Sequence, residues 1–239
     1  MSVLVLQLAG PLQSWGAAAR FARRTTEAAP TKSGVIGLLA AAQGRERTQD
    51  LTDLARLRFA VRVDQPGTRI RDYQTAHHFD TGKSMPVSER FYLADAVFVA
   101  AVEGEDTTIE GLHQALRTPV FLPYLGRRSC PPSRPVELGV RTGRGLEDVL
   151  STEPWQASPW RQRRHREQTV ELEAFIETQG GLGDRLRDQP LSFDPAHRQY
   201  AHRGVKSYSV PLATPCRRRR GPQVPDHDPT TVLGGDACT

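Results

Sequence analysis

The residues best placed for chemistry in this 239-residue sequence begin with Lys32 and Ser33, in the stretch PTKSGVIGLLAAA. A lysine and a hydroxyl ahead of an apolar run also occur in the P-loop, which holds nucleotide phosphates with a lysine and backbone amides. A P-loop needs glycine immediately before the lysine and again five residues earlier, but Thr31 and Thr26 occupy those positions. The pattern predicts instead a buried helix, capped by Thr31 or Ser33, whose N-terminus together with Lys32 favours an anionic oxygen.

A second group of chemically capable residues lies in a polar segment, where Tyr73, His77, His78 and Lys83 are close in sequence. Such groups can act as general acids or bases towards a hydroxyl. The segment has too few apolar residues to fold inward, so it is predicted to project from the domain, where catalytic groups are poorly held. Adjacent histidines on a strand point to opposite faces and seldom share one ion. Neither a catalytic residue nor a metal site is predicted.

The composition narrows the class of protein without identifying it. Hydrophobic residues make up 38% of the sequence. The net charge of +5 favours polyanionic partners only weakly. The three cysteines are widely spaced and form no CxxC, so neither a disulfide framework nor a zinc site is indicated, and no cofactor is predicted. The first apolar stretch, VLVLQLAG, lacks a basic leader and is too short to span a bilayer. A cytoplasmic protein without membrane association is expected.

The hydrophobic pattern predicts the elements that must position these residues, in the order strand, helix, strand, strand, helix. The strands are SVLVLQLAG, then LRFAVRVDQPG with its alternation of period two, then RFYLADAVFVAAV. A capping box formed by Thr107 and Glu110 predicts the second helix, which ends before Pro119. This order predicts an α+β fold in which residues 1–146 form a ferredoxin-like (RRM-like) domain, with a projecting β-hairpin thumb at about residues 68–89.

The composition changes after residue 146. PWQASPWRQRRHREQ predicts a basic loop that carries tryptophan, and TVELEAFIE and GVKSYSVPL predict strands. Residues 147–214 are therefore expected to form a smaller β-rich extension. The tail, residues 215–239, is rich in proline, glycine and polar residues and is predicted to be disordered.

Four strings in this order, LQLAGPLQSWG, PTKSGVIGLLAAA, FYLADAVF and LGRRSCPP, resemble the CasD family of subunits from the type I-E CRISPR Cascade complex. The similarity covers about residues 1–212 in element order. It implies a RAMP-type subunit built on ferredoxin-like folds, which holds the 5′ handle of the guide RNA (crRNA) in antiviral defence. It also implies a thumb packed against a backbone subunit, contact with the large subunit, and contact with target DNA only through the complex.

An RNA strand that is held intact needs phosphate partners, stacking planes and groups that read 2′-hydroxyls or splayed bases. On this basis Gln13 and Ser14 are expected to hydrogen-bond, Trp15 to stack, and the guanidinium groups to contact phosphates. The expected RNA-binding residues are Gln13, Ser14, Trp15, Lys32, Ser33, Arg71, Tyr73, Arg90, Arg127 and Arg128. In this interpretation the Lys32 and Ser33 pair meets a phosphate of the RNA backbone.

These assignments have alternatives. Trp15 can pack in the core, and polar loop residues such as Gln13 and Ser14 can satisfy backbone amides. A different class of function is a metal-independent endoribonuclease that processes CRISPR repeat RNA, in which His77 or Tyr73 activates a 2′-hydroxyl. The resemblance assigns processing to another subunit, so the chain is expected not to be an enzyme.

Overall fold

The computed structural model describes residues 1–16, 23–178, 180 and 182–214, which form a large antiparallel sheet, a smaller second sheet and five helices. The strands are β1 (Ser2–Ala9), β2 (Leu12–Gln13), β3 (Arg23–Arg24), β4 (Arg58–Gln65), β5 (Thr68–Gln74), β6 (Ser88–Ala94), β7 (Val97–Gly104), β8 (Glu137–Thr142), β9 (Thr169–Thr178), β10 (Asp184–Ser192) and β11 (Gln199–Ala213). The helices are α1 (Lys32–Ala42), α2 (Thr52–Ala55), α3 (Asp106–Arg117), α4 (Leu146–Thr152) and α5 (Pro159–Arg164).

The large sheet has seven strands in the order β10-β11-β9-β4-β7-β1-β8. Its central strands are buried on both faces because successive side chains point to opposite sides and both sets are apolar. Leu4, Leu6 and Leu8 of β1 contribute to the core shared with α1 and α3, whereas Val3 and Val5 contribute to the core shared with α4. The chain is thus a mixed helix and strand protein whose main sheet is sandwiched between helices.

Helix α1 begins as its sequence predicts. Thr31 has extended backbone angles, and its hydroxyl accepts a 3.2 Å hydrogen bond from the Gly34 amide, which makes it the N-cap. The helix is apolar nearly all round and is correspondingly buried along its length. At Gly34 an added Cβ would lie 2.8 Å from Cε3 of Trp15, so glycine is needed there for the indole to pack on the helix.

The second sheet contains β2, β3, β5 and β6. Strands β5 and β6 pair from Thr68 opposite Ala94 to Gln74 opposite Ser88 and form a hairpin, which extends beyond the predicted range 68–89. The stretch RFYLADAVFVAAV, predicted as one strand, is divided between β6 and β7, which belong to different sheets. Strand β3 pairs in parallel with the outer part of β6, and β2 pairs with its inner end. Residues 75–87, between the two hairpin strands, are exposed throughout.

The strands that follow residue 146 do not form a sheet of their own. Strand β9 pairs with β4, β11 pairs with β9, and β10 pairs with β11 at the edge, so all three continue the large sheet. The predicted tail, residues 215–239, lies outside the described residues. None of the described helices has the length and apolar content needed to cross a membrane.

The predicted capping box of the second helix is wrong. Helix α3 begins at Asp106, one residue before Thr107, and its N-cap residue Glu105 makes no side-chain capping bond. The Asp106 carboxylate instead accepts a 2.8 Å hydrogen bond from the Ser2 hydroxyl and pairs with the N-terminal amine at 2.9 Å. The first strand therefore supplies the groups that meet the start of this helix.

Candidate nucleic-acid interface

The second sheet distributes its arginines over two faces because side chains alternate along each strand. We name these the Arg127 face and the Arg71 face. The Arg127 face carries Arg24, Arg90 and Tyr92 together with Arg127 from the loop that follows β7 and α3. The Arg71 face carries Arg23, Arg69, Arg71, Tyr73 and Phe91.

On the Arg127 face, a guanidinium lies over an aromatic ring. The Cζ atom of Arg127 is 4.8 Å from the centroid of the Tyr92 ring, and its Nη2 donates a 2.8 Å hydrogen bond to the carbonyl of Arg24. Its Nη1 is buried without a hydrogen-bond acceptor in the described residues, and so is Nε of Arg90. Buried N–H groups are nearly always paired, so two unmatched cationic donors on one face indicate a place for an acceptor.

The Arg71 face has a similar layering of guanidinium on aromatic groups. Cζ of Arg71 lies 5.0 Å from the Tyr73 ring centroid, and Cζ of Arg23 lies 5.5 Å from that of Phe91. Nη2 of Arg69 donates a 2.9 Å hydrogen bond to the carbonyl of Thr26, which fixes the segment leaving β3. Stacked guanidiniums keep their edge N–H groups available to phosphates or base edges.

The loop that carries Arg127 is held closely to the chain after β1. The Ser14 amide donates a 3.1 Å hydrogen bond to the carbonyl of Leu125, and the Ser14 hydroxyl donates one of 3.0 Å to the carbonyl of Phe91. Gly126 has φ of +83°, and a Cβ there would collide with the Ser14 carbonyl. This glycine therefore allows the backbone to turn so that Arg127 reaches Tyr92.

The three predicted RNA contacts of the first loop are instead parts of this scaffold. The Trp15 side chain is 0% exposed, and its Nε1 donates a 3.0 Å hydrogen bond to Oε1 of Gln13. Gln13 in turn donates to the carbonyls of Leu8 and Ala96 at 3.0 and 2.8 Å. Because Trp15, Gln13 and Ser14 are buried and their polar atoms are used internally, the structure places them beneath the interface and not on its surface.

The predicted phosphate site at the start of α1 is also occupied by the protein itself. Lys32 is 1% exposed, and its Nζ lies 2.9 Å from Oε2 of Glu177, while Ser33 is buried beside Thr31. Burial lowers the pKa of Lys32, and the adjacent Glu177 carboxylate opposes that shift. The position does attract anionic oxygens, as expected, but they belong to the protein: Glu177 of β9 pairs with Nζ of Lys32, and Asp188 of β10 accepts from its backbone amide.

The structure thus brings together only part of the predicted set. Arg90 and Arg127 share the Arg127 face, Arg71 and Tyr73 share the Arg71 face, and Arg128 is exposed next to Arg127. Sequence reasoning did not select Arg23, Arg24, Phe91 and Tyr92 as site residues. The consecutive arginines Arg23 and Arg24 were the available sequence signal for β3. The roles of Phe91 and Tyr92 could not be predicted, because they depend on how β3 and the Arg127 loop pack against β6.

The histidines of the exposed loop do not assemble a reactive group. Nδ1 of His77 lies 3.2 Å from the Gly82 carbonyl and 3.4 Å from the Ser84 hydroxyl. Within the described residues, no hydrogen bond links the side chains of Tyr73, His78 or Lys83 to another titratable group. A search of the same residues finds no cluster of three or more histidine, cysteine or acidic side chains that could hold a metal ion.

Comparisons with known proteins agree on one family. Residues 3–206 match the family described as CRISPR-associated protein (Cas_Cas5). The chain is 38% identical to "CRISPR system Cascade subunit CasD" of Escherichia coli (strain K12), over 58% of this chain and 70% of that protein. Two solved structures are also similar. "CRISPR RNA-guided surveillance complex" has a TM-score of 0.74 and 34% identity, covering 88% of this chain and 91% of the matched one, and "Crystal structure of Cas protein" has a TM-score of 0.68 and 37% identity, covering 87% and 95%.

Proposed function

The chain belongs to the Cas5 family of CRISPR-associated proteins, and from this premise we propose that it is the Cascade subunit that holds the 5′ handle of the guide RNA. The relatives are a Cascade subunit and a chain of an RNA-guided surveillance complex, so a guide RNA is the ligand that fits both the family and a surface of stacked arginines. The handle lies on the Arg127 and Arg71 faces of the second sheet.

The observation that supports this assignment is the pair of donors that have no acceptor among the described residues, Nε of Arg90 and Nη1 of Arg127. A phosphate oxygen accepts from both kinds of N–H group and carries the charge that two guanidiniums attract. Tyr92 holds Arg127 in place before RNA arrives, so little side-chain entropy is lost on binding. On the opposite face Tyr73, with 55% of its surface exposed, offers a plane on which a splayed base can stack.

Strands β8, β1, β7 and β4 lie side by side in that order, with α1 between β1 and β4 in sequence and α3 between β7 and β8. This arrangement supports a ferredoxin-like unit, to which we assign residues 1–146. Residues 147–214 then act as an extension that lengthens its sheet past β4. The hairpin at about residues 68–89 serves as the thumb towards a backbone subunit, while other surfaces meet the large subunit.

The protein holds the RNA without cutting it. Cleavage through a 2′-hydroxyl needs a general base beside its proton and a cation at the developing charge, fixed to within about 0.5 Å. The candidate groups His77, His78 and Lys83 sit in an exposed loop. Incubation of the chain with labelled repeat RNA in EDTA is therefore expected to leave the RNA intact. A discrete product with a 2′,3′-cyclic phosphate, lost in Tyr73→Ala or His77→Ala, would establish the endoribonuclease instead.

A pull-down of the complex from the cytoplasm of cells that express it tests the function. Titrations with the handle RNA at several salt concentrations test the binding site. The variant Arg90→Gln with Arg127→Gln removes both unmatched donors, and we expect at least a tenfold loss of handle affinity and a shallower salt dependence. The matched control, Arg56→Gln with Arg134→Gln, removes two exposed arginines elsewhere and should retain the RNA. Equal affinities for the two variants would refute this site, and a complex free of RNA would refute the function.

A further inference from the structure

The basic segment around α5 is not explained by the proposed handle site. Within residues 158–169 the sequence has four arginines and a single carboxylate, Glu167. In the part of the chain that the structure describes, the guanidiniums of these arginines make no hydrogen bond or ion pair with the protein; they are Arg161, Arg163, Arg164 and Arg166. Four cations without partners in the described part of the chain form a strongly attractive surface for a polyanion.

An exposed aromatic ring lies in the same segment. The chain has three tryptophans, and Trp15 and Trp155 are 0% and 6% exposed. Trp160 is 44% exposed, although an indole ring is usually among the most buried side chains of a protein. Arginines beside an accessible aromatic plane are the combination that binds single-stranded nucleic acid, with phosphates on the cations and bases stacked on the ring.

The α5 segment is anchored firmly enough to act as a preformed surface. Nε2 of Gln162 donates a 2.8 Å hydrogen bond to the Trp155 carbonyl, and the ring of His165 packs edge-on against the Trp155 indole with centroids 5.5 Å apart. The Ser158 amide donates a 3.1 Å hydrogen bond to Oε1 of Gln65, the last residue of β4. These contacts use the backbone, Gln162 and His165, while Arg163, Arg164, Arg166 and Trp160 are exposed.

The surface is distinct from the handle site but lies near it. Gln65 bonds to the Ser158 amide and also donates to the carbonyl of Asp95, in the turn that joins β6 to β7. In the described residues no hydrogen bond or ion pair joins α5 to β5 or β6. A second segment of nucleic acid can therefore lie on α5 while the second sheet is occupied.

We propose that α5 is a binding site for single-stranded nucleic acid, separate from the Arg127 and Arg71 faces. The arginines of α5 and Arg166 contact successive phosphates, and Trp160 stacks on a base. The phosphates of double-stranded DNA can contact the arginines, but its bases are stacked inside the duplex and cannot stack on Trp160. An acidic peptide offers carboxylates but no base to stack on the indole. The exposed ring is thus what selects a single strand as the ligand.

Binding of a thymidine or uridine oligomer of about 20 nucleotides to the full chain, with the handle RNA already bound, tests the proposal. The variant Arg163→Gln, Arg164→Gln, Arg166→Gln should lose about tenfold in affinity, and its salt slope should fall by about 2, because three phosphate contacts each contribute about 0.7. The matched control, Arg117→Gln, Arg185→Gln, Arg198→Gln, changes the net charge equally with exposed arginines from other elements and should change affinity less than about twofold.

Tryptophan fluorescence provides a second readout that does not depend on the handle. Stacking should quench the emission of Trp160, and Trp160→Phe should keep most of the affinity while losing the quenching. Trp160→Ala should lower affinity at least about fivefold. If the triple arginine variant fails to fold, these two tryptophan variants decide the question.

Three outcomes would overturn the proposal. Equal losses for the triple variant and its control would reduce the effect to overall charge. Tighter binding of duplex DNA without quenching of Trp160 would assign the surface to a double strand. Displacement of the oligomer by polyglutamate at similar concentration would assign it to an acidic protein segment.

Discussion

The backbone amide of Lys32 donates a 2.7 Å hydrogen bond to Oδ2 of Asp188, although 156 positions separate the two residues. The same carboxylate accepts bonds of 2.6 and 2.9 Å from the guanidinium of Arg203. The start of α1 is therefore joined to β10 and β11 by a buried network in which every charge has a partner. The affinity of this helix terminus for an anion is satisfied within the fold.

Asp188→Asn should destabilise the protein by about 3 to 5 kcal/mol, because it leaves the buried Arg203 guanidinium without its counter-charge. The carboxylate is 0% exposed, so water cannot replace it. Urea unfolding followed by circular dichroism measures the change. Asp184→Asn alters the same strand at an exposed position and should cost less than about 0.5 kcal/mol. Similar midpoints for the two variants would show that the network contributes little.

Lys32 and Arg127 should differ in their effect on RNA binding. Lys32→Met breaks the ion pair with Glu177 and lowers stability. The handle affinity of the folded variant should stay within about twofold, because Nζ of Lys32 is buried and does not reach the surface. Arg127→Gln should lower the affinity and reduce the slope of log affinity against log salt by about 0.7. Titrations at several salt concentrations, below the unfolding temperature of both variants, distinguish them. A reduced slope for Lys32→Met would restore the start of α1 as a phosphate site.

Substitution by alanine should have opposite effects on stability at Gly34 of α1 and at Gly111 of α3. Gly34→Ala forces a Cβ to within 2.8 Å of the Trp15 ring, in a core that cannot move freely, and should destabilise by about 1 to 3 kcal/mol. Gly111→Ala, in the exposed face of α3, meets nothing within 4 Å and should stabilise by about 0.5 to 1 kcal/mol. Thermal unfolding measures both. Stabilisation by both substitutions would show that Trp15 does not rest on α1 as described.

Part of the order of strands and helices was accessible from the sequence because it depends on local patterns. Period-two alternation identified β4, an apolar run identified α1, and its N-cap, Thr31, is one of the two residues predicted for that position. The capping box failed because Asp106 has partners at the N-terminus, more than 100 positions away. Local rules cannot include a competing partner that only the tertiary fold supplies.

The residues of the candidate site were harder to predict than the fold, because their roles depend even more on partners that are distant in sequence. Gln13, Trp15 and Lys32 have the chemistry of RNA-binding residues, but burial decides whether that chemistry faces a ligand or the core. Their internal partners, such as Ala96 and Glu177, come from distant elements and leave no local mark in the sequence. The exposure of Arg71 on the hairpin could be predicted because a segment with little apolar content has to remain outside.

The stability of the protein is expected to depend on pH through Tyr208. The hydroxyl of Tyr208 is buried without a hydrogen-bond partner in the described residues, and burial, with a smaller contribution from Glu147, raises its pKa from 10.0 to about 12. Below pH 10 the residue is protonated in both the folded and the unfolded chain. As pH rises from 10 towards 12, the unfolded chain loses this proton first, so the contribution of Tyr208 to stability is lost across that window.

Tyr208→Phe removes this titration, so the variant should keep more of its stability than the parent at about pH 11. At neutral pH it should be equal to the parent or slightly more stable, because the hydroxyl forms no hydrogen bond that the substitution would break. Urea midpoints at about pH 7, 9 and 11 for both proteins measure the difference, and comparison cancels the other groups that titrate in this range. Tyr73→Phe, at an exposed ring, is the matched control for removal of a hydroxyl, and it should change the midpoints less than Tyr208→Phe does. Parallel curves for the parent and Tyr208→Phe would mean that the hydroxyl reaches water in the folded state.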